Sequence, residues 1–333
     1  MTEGDEVRLR ARLPVLWLGP TRVRFGTDPR WSVALHDLSP AATRALLEIP
    51  QGADERVLRA ALRRQDVAAE EADAVVGHLR AAALLVAAPT PESPDAAAWA
   101  LLAAGGDAAI RTRSTARVRL TGLGRLGVGL ATTLGAAGIG HLELDDEQPV
   151  GRVDICAGLT VRDIGTPRAT ALARALHDAA PGLRTPPPRS GPVDLVVLTE
   201  HWVADPIRHQ PLMADGVPHL SIVLREASIL VGPLVRPGRS PCLRCTDLHR
   251  AELDPSWPRV AAQLAVARSR CPEETASAAV AGAFAAAEVL AFVDGRPGLL
   301  DGAVLEVRLP DLLPRVWHLD PHPECGCCGL PVG

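Results

Sequence analysis

Five of the seven cysteines lie in two close groups, and their spacing predicts a metal site. Cys242 and Cys245 form a Cys-x-x-Cys pair, and Cys325, Cys327 and Cys328 follow about 80 residues later. Two such pairs supply four thiolates, the ligand set of a closed, structural zinc ion. We therefore expect Cys242, Cys245, Cys325 and Cys328 to bind zinc, with Cys327 as the alternative to Cys328. Such an ion would tie the end of the chain to its middle.

A glycine-rich loop is the second pattern with chemical meaning. Gly122-x-Gly124-x-x-Gly127 follows an extended apolar stretch and opens a helical one. The first glycine permits a tight turn, the second lets the backbone approach a phosphate, and the third lets helix and strand pack closely. Asp145 ends the next predicted strand, 23 positions after Gly122, where a ribose-binding acid is expected. The pattern predicts a Rossmann-like nucleotide cradle, or else glycines that serve packing alone.

The composition limits the chemistry. The sequence contains no Lys and no Asn, so all 35 basic residues are Arg. A mechanism that needs a Lys or Asn side chain therefore requires a substitute here. The formal net charge of −4 gives no reason to expect nucleic acid or an anionic membrane as a partner.

Residues 1–90 predict a small winged-helix-like domain. Three short extended runs within 13–38 precede three helical patterns, of which the last covers 69–85. Winged-helix domains often bind DNA, and a DNA-binding regulator is one possible function. However, these 90 residues carry 12 Arg against 12 Asp plus Glu, whereas a DNA-binding surface is normally basic. Peptide binding at an exposed strand edge remains open.

The rest of the chain predicts an α/β domain. Residues 91–112 are rich in Pro, Ala and Gly and predict a linker with a short helix. Over 113–333, extended runs alternate with helical ones, which indicates a mostly parallel sheet covered by helices.

Two segments, the first ten residues and the apolar stretch 275–293, bear on where in the cell the protein is expected. The first ten residues are acidic and lack an apolar run, so we expect a cytoplasmic protein without a secretion signal. The apolar stretch 275–293 contains Glu288 and consists mostly of Ala and Gly. These residues contribute little transfer energy, so a packed internal helix is expected and no membrane partner.

The motifs together resemble the ThiF/MoeB adenylyltransferases over about 113–330. The resemblance rests on the glycine loop with Asp145, on DIGTPRA at 163–169, on VDLVVLT at 193–199, and on GPLVRPGRSPCLRC at 232–245 with its second cysteine group. It implies a Rossmann-like domain that binds ATP and adenylates a carboxylate. This chain departs from the family in three places: no Asn or Arg-Gln pair follows Asp145, Arg168 replaces a Lys, and Glu200 replaces an Asp. Because Arg is not equivalent to Lys as a point charge, we do not expect ATP chemistry. Adenylation with Arg168 and Asp145 is the alternative.

A narrower resemblance is to the ThiF-like proteins of azoline and thiopeptide biosynthesis. It rests on DLHR at 247–250, WPR at 257–259 and WHLDPHPECGC at 317–327. It implies a protein, itself non-catalytic and homodimeric, that binds the leader of a ribosomally made precursor and presents it to a YcaO-type cyclodehydratase. It further implies a PqqD-like N-terminal recognition domain in which the leader adds as a strand beside SVALHDL at 32–38, against the helix 69–85. The residues implied in peptide binding are Val33, Ala34, Leu35, His36, Val76 and Arg80.

Overall fold

The structure is a computed structural model that describes residues 7–10, 13–30, 32–86, 95, 98–99, 106–189, 191–267 and 269–328. The chain divides into two compact units, residues 1–108 (unit 1) and 109–333 (unit 2). The division falls within the predicted linker, 91–112, most of which lies outside the described residues. The end of that segment belongs to a helix, Gly106–Thr115.

The described residues of unit 1 up to 86 combine five short strands with three helices. The strands are β1 (Arg8–Leu9), β2 (Val15–Gly19), β3 (Arg22–Phe25), β4 (Val33–Leu35) and β5 (Leu85–Val86), and the helices are α1 (Pro40–Leu47), α2 (Glu55–Arg64) and α3 (Ala69–Ala81). Strands β2, β3 and β4 form an antiparallel sheet in that order, and β1 pairs with β5. Three strands followed by three helices are thus present between residues 15 and 81, as the sequence pattern predicts.

Local sequence signals account for these elements. In β3, Val23 and Phe25 are buried and the arginines that alternate with them are exposed, which is the period of a half-buried strand. Helix α1 begins after Ser39, whose side chain accepts a hydrogen bond from the Ala42 N–H at 3.0 Å.

Unit 2 is built on a seven-stranded sheet flanked by helices. The strands are β6 (Arg117–Thr121), β7 (His141–Asp145), β8 (Leu195–His201), β9 (His219–Leu224), β10 (Ser228–Val235), β11 (Ala303–Arg308) and β12 (Arg315–His318). The helices are α4 (Gly106–Thr115), α5 (Arg125–Ala136), α6 (Arg168–Ala179), α7 (Pro206–Ala214), α8 (Leu243–Leu253), α9 (Trp257–Ala265) and α10 (Thr275–Val293).

The strand order is β12-β11-β10-β9-β8-β6-β7. Strands β7, β6, β8 and β9 are parallel neighbours, and β10, β11 and β12 extend the sheet by antiparallel pairing. Five of the seven strands point the same way, so the predicted α/β fold with a mostly parallel sheet is confirmed. The antiparallel extension was not predicted. It begins because only 225–227 separate β9 from β10, too few residues for a helical crossover.

Helix α10 is, within the part of the chain that the structure describes, the one helix long and apolar enough to cross a membrane. It packs closely on α5 instead: a Cβ at Gly282 would lie 3.4 Å from the Leu126 carbonyl oxygen. The Glu288 carboxylate accepts hydrogen bonds from the backbone N–H groups of Leu299 and Leu300, at 2.9 and 3.1 Å. Helix α10 is therefore a packed helix of unit 2.

Candidate functional site

The glycine loop joins β6 to α5 at the carboxyl end of the parallel strands. Gly122 has φ +77°, and a Cβ there would lie 2.5 Å from the Thr199 carbonyl oxygen. A Cβ at Gly127 would overlap the Gly122 carbonyl oxygen. These two glycines are therefore required by the turn and by close packing, whichever ligand the loop receives.

The neighbour of the predicted acid contacts this loop. Asp146 accepts a hydrogen bond from the Leu123 N–H at 2.7 Å through Oδ2 and one from the Gln148 N–H at 2.9 Å through Oδ1. Asp145 is half-buried at the end of β7, in register with Thr121. Sequence reasoning missed Asp146, although two consecutive acids at a strand end indicate that one of them turns toward each side.

A second carboxylate lies at the start of α5. Glu273, in the segment between α9 and α10, accepts a hydrogen bond from the Leu126 N–H at 2.9 Å. A Cβ at Gly124 would overlap this carboxylate, so Gly124 leaves the room that Glu273 fills. Burial raises the pKa of Glu273. Nothing in the local sequence pointed to Glu273, which is 147 positions from its partner.

Arg168, at the start of α6, is held by two acids. Its Nη2 lies 2.8 and 2.7 Å from the two carboxylate oxygens of Asp154, and its Nη1 lies 3.3 Å from Asp146 Oδ2. The side chain is only 2% exposed. Arg152, the first arginine after Asp145 in the sequence, is exposed. The guanidinium of Arg168 is thus already paired.

Glu200 and His201 end β8 beside the loop. Glu200 is buried, accepts a hydrogen bond from the Asp205 N–H at 3.1 Å, and lies 3.9 Å from Arg208. Burial raises the pKa of Glu200 to about 7. Burial, and then the nearby Arg270, lower the pKa of His201 to about 4.

The cysteines form a compact cluster. The Sγ atoms of Cys242 and Cys325 are 3.4 Å apart, as are those of Cys245 and Cys327, and all four sulfurs lie within 4.8 Å of one another. Ligand sulfurs about 2.3 Å from a tetrahedral zinc ion lie about 3.8 Å apart, so the cluster has the dimensions to hold a metal ion. Cys328 is exposed, and its Sγ lies 3.3 Å from the Ser240 carbonyl oxygen. This arrangement favours Cys327, the alternative, over the predicted Cys328.

A histidine pair lies beside the cysteine cluster. The ligand atoms of His249, Glu252 and His322 lie within 4.8 Å of one another, a grouping that could also hold a metal. However, the Glu324 N–H donates to His322 Nδ1 at 3.1 Å. A neutral His322 therefore carries its proton on Nε2, which lies 3.0 Å from Glu252. His322 and Glu252 are therefore a hydrogen-bonded pair beside the cysteine cluster, whose Cys245 Sγ also accepts a hydrogen bond from the His322 N–H at 3.3 Å.

The DLHR and WPR motifs meet at the corner between α8 and α9. The Trp257 indole N–H donates to Asp247 at 3.0 Å, and the Arg250 guanidinium lies 4.9 Å from the centre of the Trp257 ring. Burial raises the pKa of Asp247 and lowers that of Arg250 to about 10. These motif residues therefore bind one another.

The predicted peptide-binding residues of unit 1 differ in accessibility. Leu35 and Val76 are buried in the core of the unit, so their side chains are closed to a ligand. Val33 and Ala34 are half-buried and His36 is exposed. Arg80 is exposed and pairs with Glu55 at 2.5 Å. The six residues lie on β4, directly after it, or on α3.

Fold and loop together define an α/β protein of the Rossmann-like class with a cysteine cluster at the end of its chain. A model of the ThiF family matches residues 97–189. No curated protein sequence matches the chain. The predicted resemblance to ThiF proteins is confirmed, and unit 2 is ThiF-like.

Solved structures extend the likeness to nearly the whole chain. E. coli MccB with MccA-N7isoASN has a TM-score of 0.67 and 13% identity, covering 98% of this chain and 100% of that one. The microcin C7 biosynthetic enzyme MccB in complex with N-formylated MccA has a TM-score of 0.67 and 14% identity, covering 97% and 100%. PaaA has a TM-score of 0.68 and 15% identity, covering 92% and 98%. At these identities the likeness shows a shared fold.

Proposed function

We propose that this protein binds the leader of a ribosomally synthesised precursor peptide and presents it to a YcaO-type cyclodehydratase, without adenylating it. In this proposal residues 1–90 form a winged-helix-like recognition domain, 91–112 a linker and 113–333 the ThiF-like domain. The protein would act in the cytoplasm as a homodimer, without nucleic-acid or membrane partners.

The observation that carries this proposal is the pairing of Arg168. Adenylyl transfer depends on cations that are free to neutralise charge developing on phosphate. The only candidate at the start of α6 is buried between Asp154 and Asp146, and turning it to a substrate would leave two buried carboxylates without that partner. Adenylation by this unit is therefore disfavoured.

Peptide binding is supported by the edge of the small sheet. Strand β4 pairs with β3 on one side, and on its other side no strand among the described residues of the chain pairs with it. A leader could add there through main-chain hydrogen bonds, with Val33, Ala34 and His36 close to its side chains. MccB, which has the same fold over nearly its whole length, has been solved with its peptide MccA.

The cysteine cluster is proposed to bind a structural zinc ion through Cys242, Cys245, Cys325 and Cys327. Four thiolates close the coordination sphere, so the ion would hold the last turn of the chain to the start of α8 and supply no open position for catalysis.

Leader binding can be measured by fluorescence polarisation with a labelled leader peptide encoded near this protein's gene. Saturable binding is expected, and Arg80→Ala should weaken it several-fold. Arg63→Ala is the matched control, because Arg63 is an exposed arginine on α2 away from β4. No saturable binding, together with cyclisation that proceeds without residues 1–90, would refute the proposal. ATP–pyrophosphate exchange that is lost in Asp145→Ala would instead identify an adenylyltransferase, the activity suggested by solved MccB with ATP.

A further inference from the structure

Two backbone N–H groups at the glycine loop are already occupied by carboxylates of the chain itself. The Leu123 N–H donates to Asp146 and the Leu126 N–H donates to Glu273, at 2.7 and 2.9 Å. A helix start that follows a glycine loop favours an anion, because its backbone N–H groups have no partner within the helix. Here the carboxylate of Glu273 is that anion, and it fills the space above Gly124 where a larger side chain would collide with it.

We propose that the segment 269–273 is a strap that closes the cradle, with Glu273 in the place of a phosphate group. On this proposal the loop receives a polyphosphate only when the strap is displaced or its carboxylate is removed. The inference deepens the proposed absence of adenylation and makes no use of leader binding, which is assigned to unit 1.

The strap is fixed at several points on the carboxyl ends of the parallel strands. The Trp202 indole N–H donates to the Ser269 carbonyl oxygen at 2.8 Å, beyond the end of β8. The Cys271 N–H donates to His201 Nδ1 at 3.1 Å, and the Cys271 thiol contacts the carbonyl oxygen of Leu224 at 3.0 Å, at the end of β9. In open α/β sheets ligands bind outside the carboxyl ends of the strands. The strap therefore crosses the crevice in which a nucleotide would lie.

The two ends of the strap differ in how firmly the neighbouring helix is held. On the far side, Glu274 caps α10 by accepting from the N–H groups of Ala276 and Ser277, and Arg125 donates to Thr275 at 2.6 Å, so this end is anchored. On the near side, helix α9 contains no buried residue. Displacing α9 would consequently expose little apolar surface, so the strap is held mainly by its own contacts, those of the buried Cys271 and of Glu273.

Inorganic tripolyphosphate and ATP, each titrated by isothermal calorimetry, test the proposal. Wild-type protein is expected to show no saturable binding of either at low millimolar concentration. Glu273→Ala removes the carboxylate and opens the space, and should bind tripolyphosphate at least tenfold more tightly than the wild type. Glu273→Gln keeps the shape without the charge and should fall between them. Glu147→Gln, an exposed acid just after Asp146, is the charge-matched control and should behave as the wild type.

Circular dichroism and the melting temperature establish that each variant is folded, and Glu273→Gln decides the matter if Glu273→Ala is not. Equal binding by the wild type and the Glu273 variants, including no binding by any of them, overturns the strap. Tripolyphosphate binding by Glu273→Ala without ATP binding supports a cradle limited to phosphate. Either result leaves leader binding unaffected, so failure of this inference is distinguishable from failure of the proposed function.

Discussion

At the scale of residues, the candidate site is defined by which carboxylates contact the glycine loop and which cysteines lie in the cysteine cluster. Consecutive residues do different work: Asp146 holds the loop while Asp145 ends the strand, and Cys327 joins the cluster while Cys328 faces solvent. Sequence spacing left both Cys327 and Cys328 as candidates, and it indicated Asp145 but missed Asp146, because spacing alone does not show which of two consecutive side chains turns toward the site.

The choice between the two cysteines gives a direct prediction. Cys327→Ser should lose bound zinc and lower the melting temperature, because a hydroxyl is a much poorer zinc ligand than a thiolate. Cys328→Ser should retain about one zinc per chain, as counted by plasma mass spectrometry. Full zinc content in Cys327→Ser with loss in Cys328→Ser would return Cys328 to the site.

Glu200 gives a prediction about pH. Its pKa is raised from 4.5 to about 7 in the folded chain, so the unfolded chain releases this proton at lower pH than the folded one. Stability is therefore lost as pH rises from about 4.5 through about 7. Glu200→Gln cannot ionise and should gain on the order of 2 kcal/mol over the wild type between about pH 5 and about pH 8, measured by urea unfolding.

Comparing Glu200→Gln with the wild type at each pH cancels an opposing contribution of two histidines to the pH dependence of stability. Burial lowers the pKa of His201 and His209 to about 4, and that makes stability rise with pH between about 4 and 6.5 in both proteins. Glu147→Gln is again the control because its carboxylate is exposed. A gain for Glu200→Gln that is the same at every pH would show that folding does not raise the pKa of Glu200.

At the scale of elements, local patterns indicated most of the strands and helices, but not the antiparallel strands β10, β11 and β12 and not the contacts between elements. The glycine spacing placed β6, the loop and α5, and the small residues of 275–293 indicated the packed helix α10. The sequence did not indicate that the strap returns Glu273 to α5, because the partners are 147 positions apart and Glu273 lies in no recognisable pattern. The pairing of Arg168 with Asp154, which is 14 positions away, was missed because Asp154 lies in no recognisable pattern.

At the scale of the whole molecule, two compact units divide the proposed work. Unit 1 supplies an open strand edge, and unit 2 supplies a ThiF-like sheet with its own acids on the loop and a cysteine cluster at its end. Composition anticipated part of this division, because residues 1–90, with 12 Arg and 12 acids, are poorly suited to DNA and a chain without Lys lacks the usual cation at the start of α6. It follows that removing the metal should unfold unit 2 and leave unit 1 folded.

Chelation should therefore unfold unit 2 while leaving leader binding to unit 1 nearly intact. Removing zinc would break the ligand bonds that join Cys325 and Cys327 to Cys242 and Cys245 at the start of α8, and the metal-binding free energy that contributes to folding would be lost. With a strong zinc chelator, the near-ultraviolet circular dichroism of unit 2 should be lost, and leader affinity by fluorescence polarisation should change by less than about threefold. Zinc added back should restore the spectrum. Leader affinity that falls in step with the spectrum would place the peptide on unit 2, and a spectrum insensitive to chelation would show that the cysteines are packed without metal.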